Sequence, residues 1–319
     1  MAIKGLSEEL MGKFILKRLL YMLIVVVAIS FIAFALLRLS PGDPALLMLG
    51  DNATPEMIAD MREKLGLNRP FFVQYFMYLG GLLKGDLGTS ILYGYSCKEV
   101  IFSRLPATAT LSFLAAIIIL IIAIPIGIIA GAKQGSAFDF FSTAFVVLLQ
   151  SMSVVWVTIL LLLIFSVKLG VLPSVGYKGL SEPKYLIMPV IACGYRTCAQ
   201  MVRMGRSGMI DVLSEDYIKC TYARGMSKFD VYTKYAFKNA LIPITTLYGL
   251  QLSGMLAGTV VIETVYNIPG IGSMLVNAVN NRDYPLVQSS LVVTAVMFAV
   301  ITLVVDIVNS LIDRRMQLN

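Results

Sequence analysis

The sequence predicts an all-α protein that crosses a membrane several times. Of its 319 residues, 58% are hydrophobic and only 14% are charged, and the mean hydropathy is +0.81. An average soluble domain has about 25% charged residues, so this chain lacks the charged shell that a water-soluble fold of its length needs. Several apolar runs also exceed the roughly 18 residues that indicate a bilayer-spanning helix. Histidine is absent, which argues against zinc proteases, haem proteins and histidine-dependent hydrolases.

Six apolar runs predict six transmembrane helices. They cover residues 19–37, 107–131, 140–167, 185–202, 242–265 and 285–312. Basic residues precede the first run, as they do in a cleaved signal peptide, but its apolar length favours a retained helix.

The basic residues predict that both termini are cytoplasmic. An even number of spans puts both termini on one side, and that side carries 14 Lys and Arg residues, against 4 in the two short loops opposite. Short cytoplasmic loops are the ones enriched in these residues. The net charge of +7 therefore reflects topology and does not indicate nucleic-acid binding. The predicted regions are a cytoplasmic tail (1–18), the first helix (19–37), an extracytoplasmic segment (38–106), a five-helix core (107–312) and a second cytoplasmic tail (313–319).

The extracytoplasmic segment predicts a small folded cap. Thr54 is a typical N-cap and Pro55 a typical first helical residue, so we expect an amphipathic helix through Leu65 that Gly66 ends. Two flanking runs are typical of turns, although contact with an extracellular partner would also suit them. These are residues 41–44 (PGDP) and 85–88 (GDLG).

The long cytoplasmic loop, residues 203–241, predicts two short helices. For the first, the pattern gives Ser214 as N-cap, Glu215 and Asp216 in the first turn, Arg224 in the last turn and Gly225 as the stop. For the second, Ser227 is the expected N-cap with Asp230 at the third position, and the helix runs to about Ala240 before Pro243 opens the fifth span. Such a basic hairpin suits either a protein partner or an anionic lipid surface.

Three runs in this loop resemble the coupling motif of bacterial ATP-binding-cassette (ABC) importer permeases. They are residues 214–219 (SEDYIK), 223–227 (ARGMS) and 238–243 (KNALIP). Further runs stand in the order typical of the first permease subunit of the dipeptide and oligopeptide branch, which also includes nickel importers. These are residues 41–44, 85–88, 106–108, 263–266, 269–272 and 281–284. Two departures affect the docking contacts: residues 219–221 replace the superfamily's Glu-Ala-Ala, and Tyr222 replaces the branch's usual arginine.

The resemblance implies a type I ABC importer permease of six transmembrane helices, in the bacterial inner membrane. It implies one half of a pathway that imports di- or oligopeptides, with nickel or metallophore import as the alternative. The implied partners are a homologous second permease subunit, two ATPase subunits or domains, an extracytoplasmic substrate-binding protein and the lipid bilayer. The ATPase contact would be made by Glu215, Asp216, Tyr217, Ala223, Arg224 and Gly225.

No phosphate-binding loop of the Gly-x-x-x-x-Gly-Lys-Ser/Thr type occurs in the sequence. We therefore expect that the chain is not an enzyme, that it holds no cofactor or metal, and that ATP and Mg²⁺ bind to partner ATPase subunits. The four cysteines have no spacing that suggests a metal site or a disulfide.

Charged residues inside the spans are costly, and three stand out. Arg196, near the middle of the fourth span, is a pathway candidate together with Gln150, Ser151 and Ser153. Glu263 and Asp306 lie near helix ends, where interfacial solvation would accommodate them.

A channel or secondary transporter without ATP would favour a buried carboxylate pair or an interrupted helix, and a hydrolase using Ser253 would need a lysine inside the membrane. The sequence shows no such carboxylate pair, and no lysine lies within any of the proposed spans.

Overall fold

A computed structural model describes residues 2–39, 44–49, 53–64 and 66–312, and within them the chain is mostly helical. The α-helices are α1 (Ala2–Leu39), α2 (Pro44–Leu49), α3 (Pro55–Lys64), α4 (Phe71–Leu83), α5 (Cys97–Ala132), α6 (Ala137–Ser151), α7 (Val154–Leu161), α8 (Lys184–Ser214), α9 (Asp216–Ala223), α10 (Lys228–Asp230), α11 (Phe237–Gly258), α12 (Val260–Val265), α13 (Ile271–Asn280) and α14 (Tyr284–Ile312). Two π-helical stretches, Leu162–Lys168 and Val231–Ala236, continue α7 and join α10 to α11.

The apolar helices confirm a polytopic all-α membrane protein. Within the described residues, three segments are each long and apolar enough to cross a bilayer: Leu16–Leu36 of α1, all of α5, and Tyr284–Val308 of α14. Helices α6 and α7 meet that test as a pair. Helices α8 and α11 have 31 and 22 residues, which gives lengths of about 46 and 33 Å. Each predicted run thus falls on a helix or helix pair, and the number of crossings stays a prediction.

The third run is not the straight helix that the sequence predicts. It breaks at Met152 and Ser153, whose backbones are extended, and the two halves meet at 104°. The break frees the Met152 carbonyl, which accepts a hydrogen bond of 2.9 Å from the Tyr195 hydroxyl of α8. The bend coincides with the polar residues Gln150, Ser151 and Ser153, which the sequence analysis considered as pathway candidates and not as a helix break.

Other predicted boundaries shift as well. Helix α5 begins at Cys97, ten residues before the predicted span, and α8 continues past its span to Ser214. The fifth run ends as two helices, since α11 stops at Gly258 and α12 begins at Val260. Residues 313–319 and most of the 41–44 turn lie outside the described residues.

The hydrophobic interior consists of a large central cluster and one smaller cluster towards each end. The central cluster joins α5, α8 and α11 through residues such as Leu111, Met201 and Ile244. Helices α5 and α8 cross in near backbone contact, because a Cβ at Gly127 would lie 2.7 Å from the Val202 carbonyl oxygen and one at Gly131 would lie 2.7 Å from that of Arg206.

We call the end of the molecule that carries residues 44–96 the cap end. Here the predicted short helix is confirmed: α3 begins at Pro55, the Thr54 hydroxyl accepts a 3.3 Å hydrogen bond from the Met57 amide, and Gly66 has a positive φ of 66°. The turn at residues 85–88 is also confirmed, since Gly85 and Gly88 both have a φ of 79°.

Helix α4 packs along the apolar part of α1. The Tyr75 side chain is buried, and its hydroxyl lies 3.0 Å from the Ser30 hydroxyl and 3.2 Å from the Val27 carbonyl oxygen. Both partners belong to the span Leu16–Leu36. Helix α4, in the segment predicted to be extracytoplasmic, therefore packs beside the first predicted span, and the extracytoplasmic position of that segment stays a prediction.

Candidate functional site

Residues 215–230 form a hairpin at the other end of the molecule, which we call the hairpin end. Its first arm is α9, and the predicted N-cap is wrong by one residue. Ser214 is the last residue of α8, where its hydroxyl donates to the Asp211 carbonyl, and Glu215 takes the N-cap position. Asp216 lies in the first turn as predicted, where its charge complements the helix dipole.

The predicted stop at Gly225 is confirmed. Gly225 has a φ of 78°; its amide donates to the Tyr222 carbonyl at 2.9 Å and the Met226 amide to the Thr221 carbonyl at 3.4 Å. This pair of bonds is the Schellman arrangement, in which glycine is favoured because a side chain strains the left-handed backbone. The space around Gly225 is open, with no atom within 4 Å of a Cβ built there. The demand for glycine therefore comes from the backbone and not from crowding.

The second arm begins as predicted but does not end as predicted. The Ser227 hydroxyl accepts from the Asp230 amide at 3.1 Å and donates to the Asp230 carboxylate at 2.6 Å. From Lys228 the chain then stays helical, through π-helical residues Val231–Ala236, into α11. The second predicted helix is therefore not a separate short helix. It continues without a break into α11, and position 243 lies inside α11. A movement of the hairpin would therefore act on α11 with no loop between them.

The hairpin rests on α5 and α8 through its apolar side. Ile218 and Thr221 of α9 are buried, and Ile218 packs in a cluster with Met209 of α8 and Val231. Ile128 at the end of α5 packs against the same cluster. The opposite side of α9 is left open to solvent.

All six residues predicted to contact an ATPase are exposed: Glu215, Asp216, Tyr217, Ala223, Arg224 and Gly225. The Tyr217 side chain is 40% exposed, and its hydroxyl accepts a 2.7 Å hydrogen bond from the Asn239 amide of α11. Tyr217 thus connects the exposed face of α9 with the helix that continues the second arm. The structure brings the predicted residues to one accessible hairpin, and their contact with an ATPase stays a prediction.

Sequence reasoning missed one prominent residue of the hairpin. Phe229 is 76% exposed beside the six predicted residues, and aromatic side chains are common anchors where proteins bind each other. The sequence offered no signal for it beyond an aromatic residue in a polar loop.

A buried ion pair holds α6 against α8 near the hairpin. Asp139 is only 4% exposed and accepts both Nε and Nη2 of Arg206, the latter at 2.9 Å. The Gly135 amide adds a 3.0 Å hydrogen bond to the same carboxylate. Such two-point pairing fixes orientation as well as distance, so α6 and the base of the hairpin are held as one unit.

The predicted pathway residues lie in two places. Gln150, Ser151 and Ser153 lie at or beside the bend between α6 and α7, and the Gln150 amide nitrogen is buried without a hydrogen-bond partner among the described residues. Arg196 is exposed on α8, one residue after the tyrosine that contacts the bend.

Arg196 begins a polar stripe along α8. Residues 196, 200, 203, 207 and 211 are Arg, Gln, Arg, Ser and Asp, and four of the five are exposed while Gln200 is half-buried. Their spacing of three and four residues places them on one face of the helix. Charged residues at membrane depth are normally covered by protein or water and not by lipid. This argument applies to Arg196, the one charged residue of the α8 stripe inside a predicted span, and what covers the stripe stays a prediction.

Glu263 is not solvated at an interface, as the sequence had suggested. It is fully buried, its Oε1 accepts from the Thr108 hydroxyl at 2.7 Å, and its Oε2 accepts from the Ser273 amide at 2.9 Å. Thr108 in turn accepts from the Ile271 amide at 2.9 Å. These amides belong to the first turn of α13, where an anion is favoured. Close approach explains the nearby glycine, since a Cβ at Gly270 would lie 2.3 Å from the Glu263 carboxyl carbon.

Two further carboxylates have defined partners: Asp306, which the sequence analysis singled out, and Asp283, which it did not. Asp306 of α14 lies 3.2 Å from the Arg18 guanidinium of α1, so interfacial solvation alone does not describe it. At the cap end the buried Asp283 accepts from the Ser90 hydroxyl, the Leu92 amide at 3.0 Å and the Leu286 amide at 3.2 Å.

All four cysteines are free. In the part of the chain that the structure describes, no group of three potential ligands could hold a metal ion.

The chain is similar to known proteins over nearly its whole length. Residues 123–318 match the model of the family "binding-protein-dependent transport system inner membrane component", and residues 11–112 match that of its N-terminal region. The chain is 38% identical to the dipeptide transport system permease protein of Alkalihalophilus pseudofirmus, covering 95% of this chain and 98% of the relative. It is 35% identical to the di/tripeptide transport system permease protein of Pseudomonas aeruginosa, covering 96% and 99%. It is 32% identical to the oligopeptide transport system permease protein of Bacillus subtilis, covering 96% and 100%. The chain therefore belongs to the family of binding-protein-dependent transport system inner membrane components.

Proposed function

We propose that this chain is one of two permease subunits of an ATP-driven importer of di- or oligopeptides. The observation that carries the proposal is the nearly full-length similarity to permeases named for dipeptides, di/tripeptides and oligopeptides. In this proposal a homologous second permease completes the pathway, two ATPase subunits supply the energy, and an extracytoplasmic protein delivers the peptide. No feature of the described residues favours a nickel or metallophore substrate.

The hairpin would be the contact with the ATPase, on the cytoplasmic side of the membrane. Its six candidate residues and Phe229 are exposed, whereas its opposite side packs on α5 and α8. A force applied to α9 would pass to α8 through residue 215 and to α11 through the continuous second arm. Rigid connections of this kind transmit a domain closure that a flexible loop would absorb.

The α8 stripe would line the peptide pathway with the second permease. It extends from Arg196 to Asp211 along a helix whose other faces are mostly buried in this chain. If so, Arg196→Gln lowers peptide uptake, whereas Lys184→Gln, at the start of the same helix and outside the stripe, leaves uptake unchanged. Unchanged uptake by Arg196→Gln removes Arg196 from the proposed pathway.

Co-purification tests the proposal as a whole. The tagged chain is isolated from its native host in mild detergent, and its companions are identified by mass spectrometry. We expect a second permease of the same family and one or two ATPases with a phosphate-binding loop. A chain that is recovered alone as a homo-oligomer supports a channel or secondary transporter and contradicts the proposal. Competition of labelled dipeptide uptake by peptides or by nickel then separates the two substrate classes.

A native cysteine tests the proposed orientation. Cys220 on α9 is exposed, whereas Cys97 is buried and Cys193 and Cys198 are half-buried. In spheroplasts or protoplasts, whose inner membrane is intact, a membrane-impermeant maleimide should leave Cys220 unlabelled. Permeabilisation of that membrane should then allow labelling of Cys220. Labelling of Cys220 before permeabilisation puts the hairpin outside and overturns the orientation. A Cys220→Ser variant identifies the signal.

The coupling role is tested by Gly225→Val in the reconstituted complex. Valine disfavours the left-handed backbone at this position, so we expect peptide uptake to fall about tenfold or more while ATP hydrolysis persists. Gly94→Val is the matched control, because Gly94 also has a positive φ (69°) and open space but lies at the cap end. Gly225→Asn should keep much of the transport, since asparagine tolerates this conformation. Normal transport by Gly225→Val contradicts the coupling role.

A further inference from the structure

A cavity of about 380 Å³ opens at the cap end between the end of α1, helix α4, the turn at residues 85–88 and the start of α14. Its size is within the range of small-molecule sites. Its lining combines apolar side chains, such as Phe34 and Leu87, with a few polar groups. None of the proposed pathway or coupling residues contributes to it.

Three polar atoms of residues that line this cavity form no hydrogen bond of normal geometry among the described residues, although the Tyr78 and Gln288 side chains lie close to each other. They are the Gln74 side-chain oxygen, the Tyr78 hydroxyl and the Gln288 amide nitrogen, and all three are buried from solvent. The Gln74 amide nitrogen is fully used, because it donates to the carbonyls of Leu67 and Arg69. Buried polar atoms without partners are uncommon and point to a missing ligand or ordered water.

The cavity also contains a cation, the Arg38 guanidinium, which stacks 5.2 Å from the centre of the Phe34 ring and forms no ion pair with a described carboxylate. The Asp86 carboxylate also lines the cavity, where its Oδ1 accepts a 2.9 Å hydrogen bond from the Gly88 amide. Arg38 comes two residues after the end of the apolar segment Leu16–Leu36. That position corresponds to the level of the lipid headgroups, where phosphates lie.

Helix α4 provides an apolar surface beside the cavity and at membrane depth. Phe72, Phe76 and Leu83 are 64%, 66% and 82% exposed, while Tyr75 on the other face contacts Val27 and Ser30 of the first span. The exposed face of α4 thus lies beside the hydrocarbon that surrounds α1. Neighbouring positions of α1, such as Ile32 and Leu36, are exposed in the same way.

From these observations we infer that the cavity binds one phospholipid of the leaflet at the cap end. The lipid phosphate pairs with Arg38, and the glycerol and ester oxygens accept from the Tyr78 hydroxyl and the Gln288 amide. The acyl chains lie on the exposed face of α4. A lipid satisfies the cation, the buried donors and the apolar face together, whereas a free anion satisfies only the first two.

Native mass spectrometry of the full chain tests this site, with any subunits that co-purify. Phosphatidylglycerol and phosphatidylethanolamine are added to delipidated protein in mild detergent, and diacylglycerol serves as the probe that lacks a phosphate. We expect saturable retention of one phospholipid per chain and no comparable retention of diacylglycerol. Arg38→Gln should weaken retention about tenfold, the effect of one charge-assisted hydrogen bond. Lys98→Gln, an exposed cation on the same side and outside the cavity, should leave it unchanged.

Gln288→Leu keeps the bulk of the side chain but removes the amide donor, so it should weaken retention without loss of folding by gel filtration. The lipid site is overturned if Arg38→Gln binds phospholipid as well as the unmodified chain does, or if diacylglycerol is retained equally. Displacement of the lipid by millimolar inorganic phosphate indicates a simple anion site, and displacement by a dipeptide indicates a peptide site. Both outcomes also contradict the proposal. The test does not depend on the transport function, because it measures binding to the chain itself.

Discussion

The two ends of the molecule use carboxylates in opposite ways. At the cap end, Glu263 and Asp283 are fully buried and accept from side chains that are 155 and 193 residues away in sequence. In the hairpin, Asp216 and Asp230 are accessible, and their lysine partners are three and four residues away. The cap end is therefore held by tertiary hydrogen bonds, whereas the hairpin is shaped by local bonds that leave its surface free for a partner.

The largest expected effect of a single substitution is at Glu263. Glu263→Ala leaves the Thr108 hydroxyl and the Ser273 amide without an acceptor in a site that water does not reach. Each such loss costs about 1–3 kcal/mol, so we expect a stability loss of about 3 kcal/mol, seen as a lower melting temperature of the detergent-purified chain. The measurement is thermal unfolding followed by gel filtration of the soluble fraction.

Two variants sharpen this comparison of the ends. Glu263→Gln keeps one acceptor and most of the volume, so its loss should be smaller than that of alanine. Asp216→Ala removes an exposed carboxylate of the hairpin, and exposed pairs contribute at most about 1 kcal/mol. If Asp216→Ala lowers the melting temperature as much as Glu263→Ala does, the two ends do not differ in the way we describe.

A smaller loss is expected where the hairpin rests on the α5–α8 crossing. Gly131→Ala would place a Cβ 2.7 Å from both the Arg206 carbonyl oxygen and the Met209 Cβ. Overpacking of this kind costs about 1–3 kcal/mol, and here the helices must separate at the base of the hairpin. The same thermal measurement applies, with Gly80→Ala as control because nothing lies within 4 Å of a Cβ built there. An unchanged melting temperature for Gly131→Ala would contradict this, because it would mean that the α5–α8 crossing accommodates the added methyl group with no loss of stability.

The contrast between the ends also explains what the sequence could predict. The stop at Gly225, the Ser227 cap and the α3 helix depend on residues within a few positions of each other, so local chemistry predicted them. The cap prediction failed by one residue at Ser214, a preferred N-cap type that instead ends α8 and bonds the Asp211 carbonyl, while Glu215 takes the N-cap position without a side-chain capping bond. Local patterns are informative where the partners are local.

The rest depends on contacts between distant parts of the chain. The bend at Met152 is supported by Tyr195, 43 residues later, and the polar residues beside it suit a straight helix that lines a pathway as well as a bent one. The burial of Glu263 depends on Thr108 and on the first turn of α13, which one sequence without structure does not bring together. The α8 stripe was only partly recognised, because Arg196 was considered as a single charge inside a span and not as part of a helix face.

The smallest effect is expected at Asp230, and it concerns pH. The hydrogen bond from Lys234 and then that from Ser227 hold the pKa of the Asp230 carboxyl below its usual value. The resulting stabilisation of the hairpin is complete above the ordinary carboxyl pKa and is lost as the pH falls through the lowered pKa of the folded chain. Hydrogen exchange of the amides of residues 228–236, corrected for the intrinsic rate at each pH, should show protection that falls with acidification.

Asp230→Asn should remove this pH dependence and lower protection at neutral pH about threefold, as suits an exposed pair. Asp216→Asn, in the first arm, should leave these amides unchanged. Equal protection of the unmodified chain and Asp230→Asn at every pH contradicts the local-bond account of the hairpin, because the bonds to Asp230 would then contribute nothing to its shape.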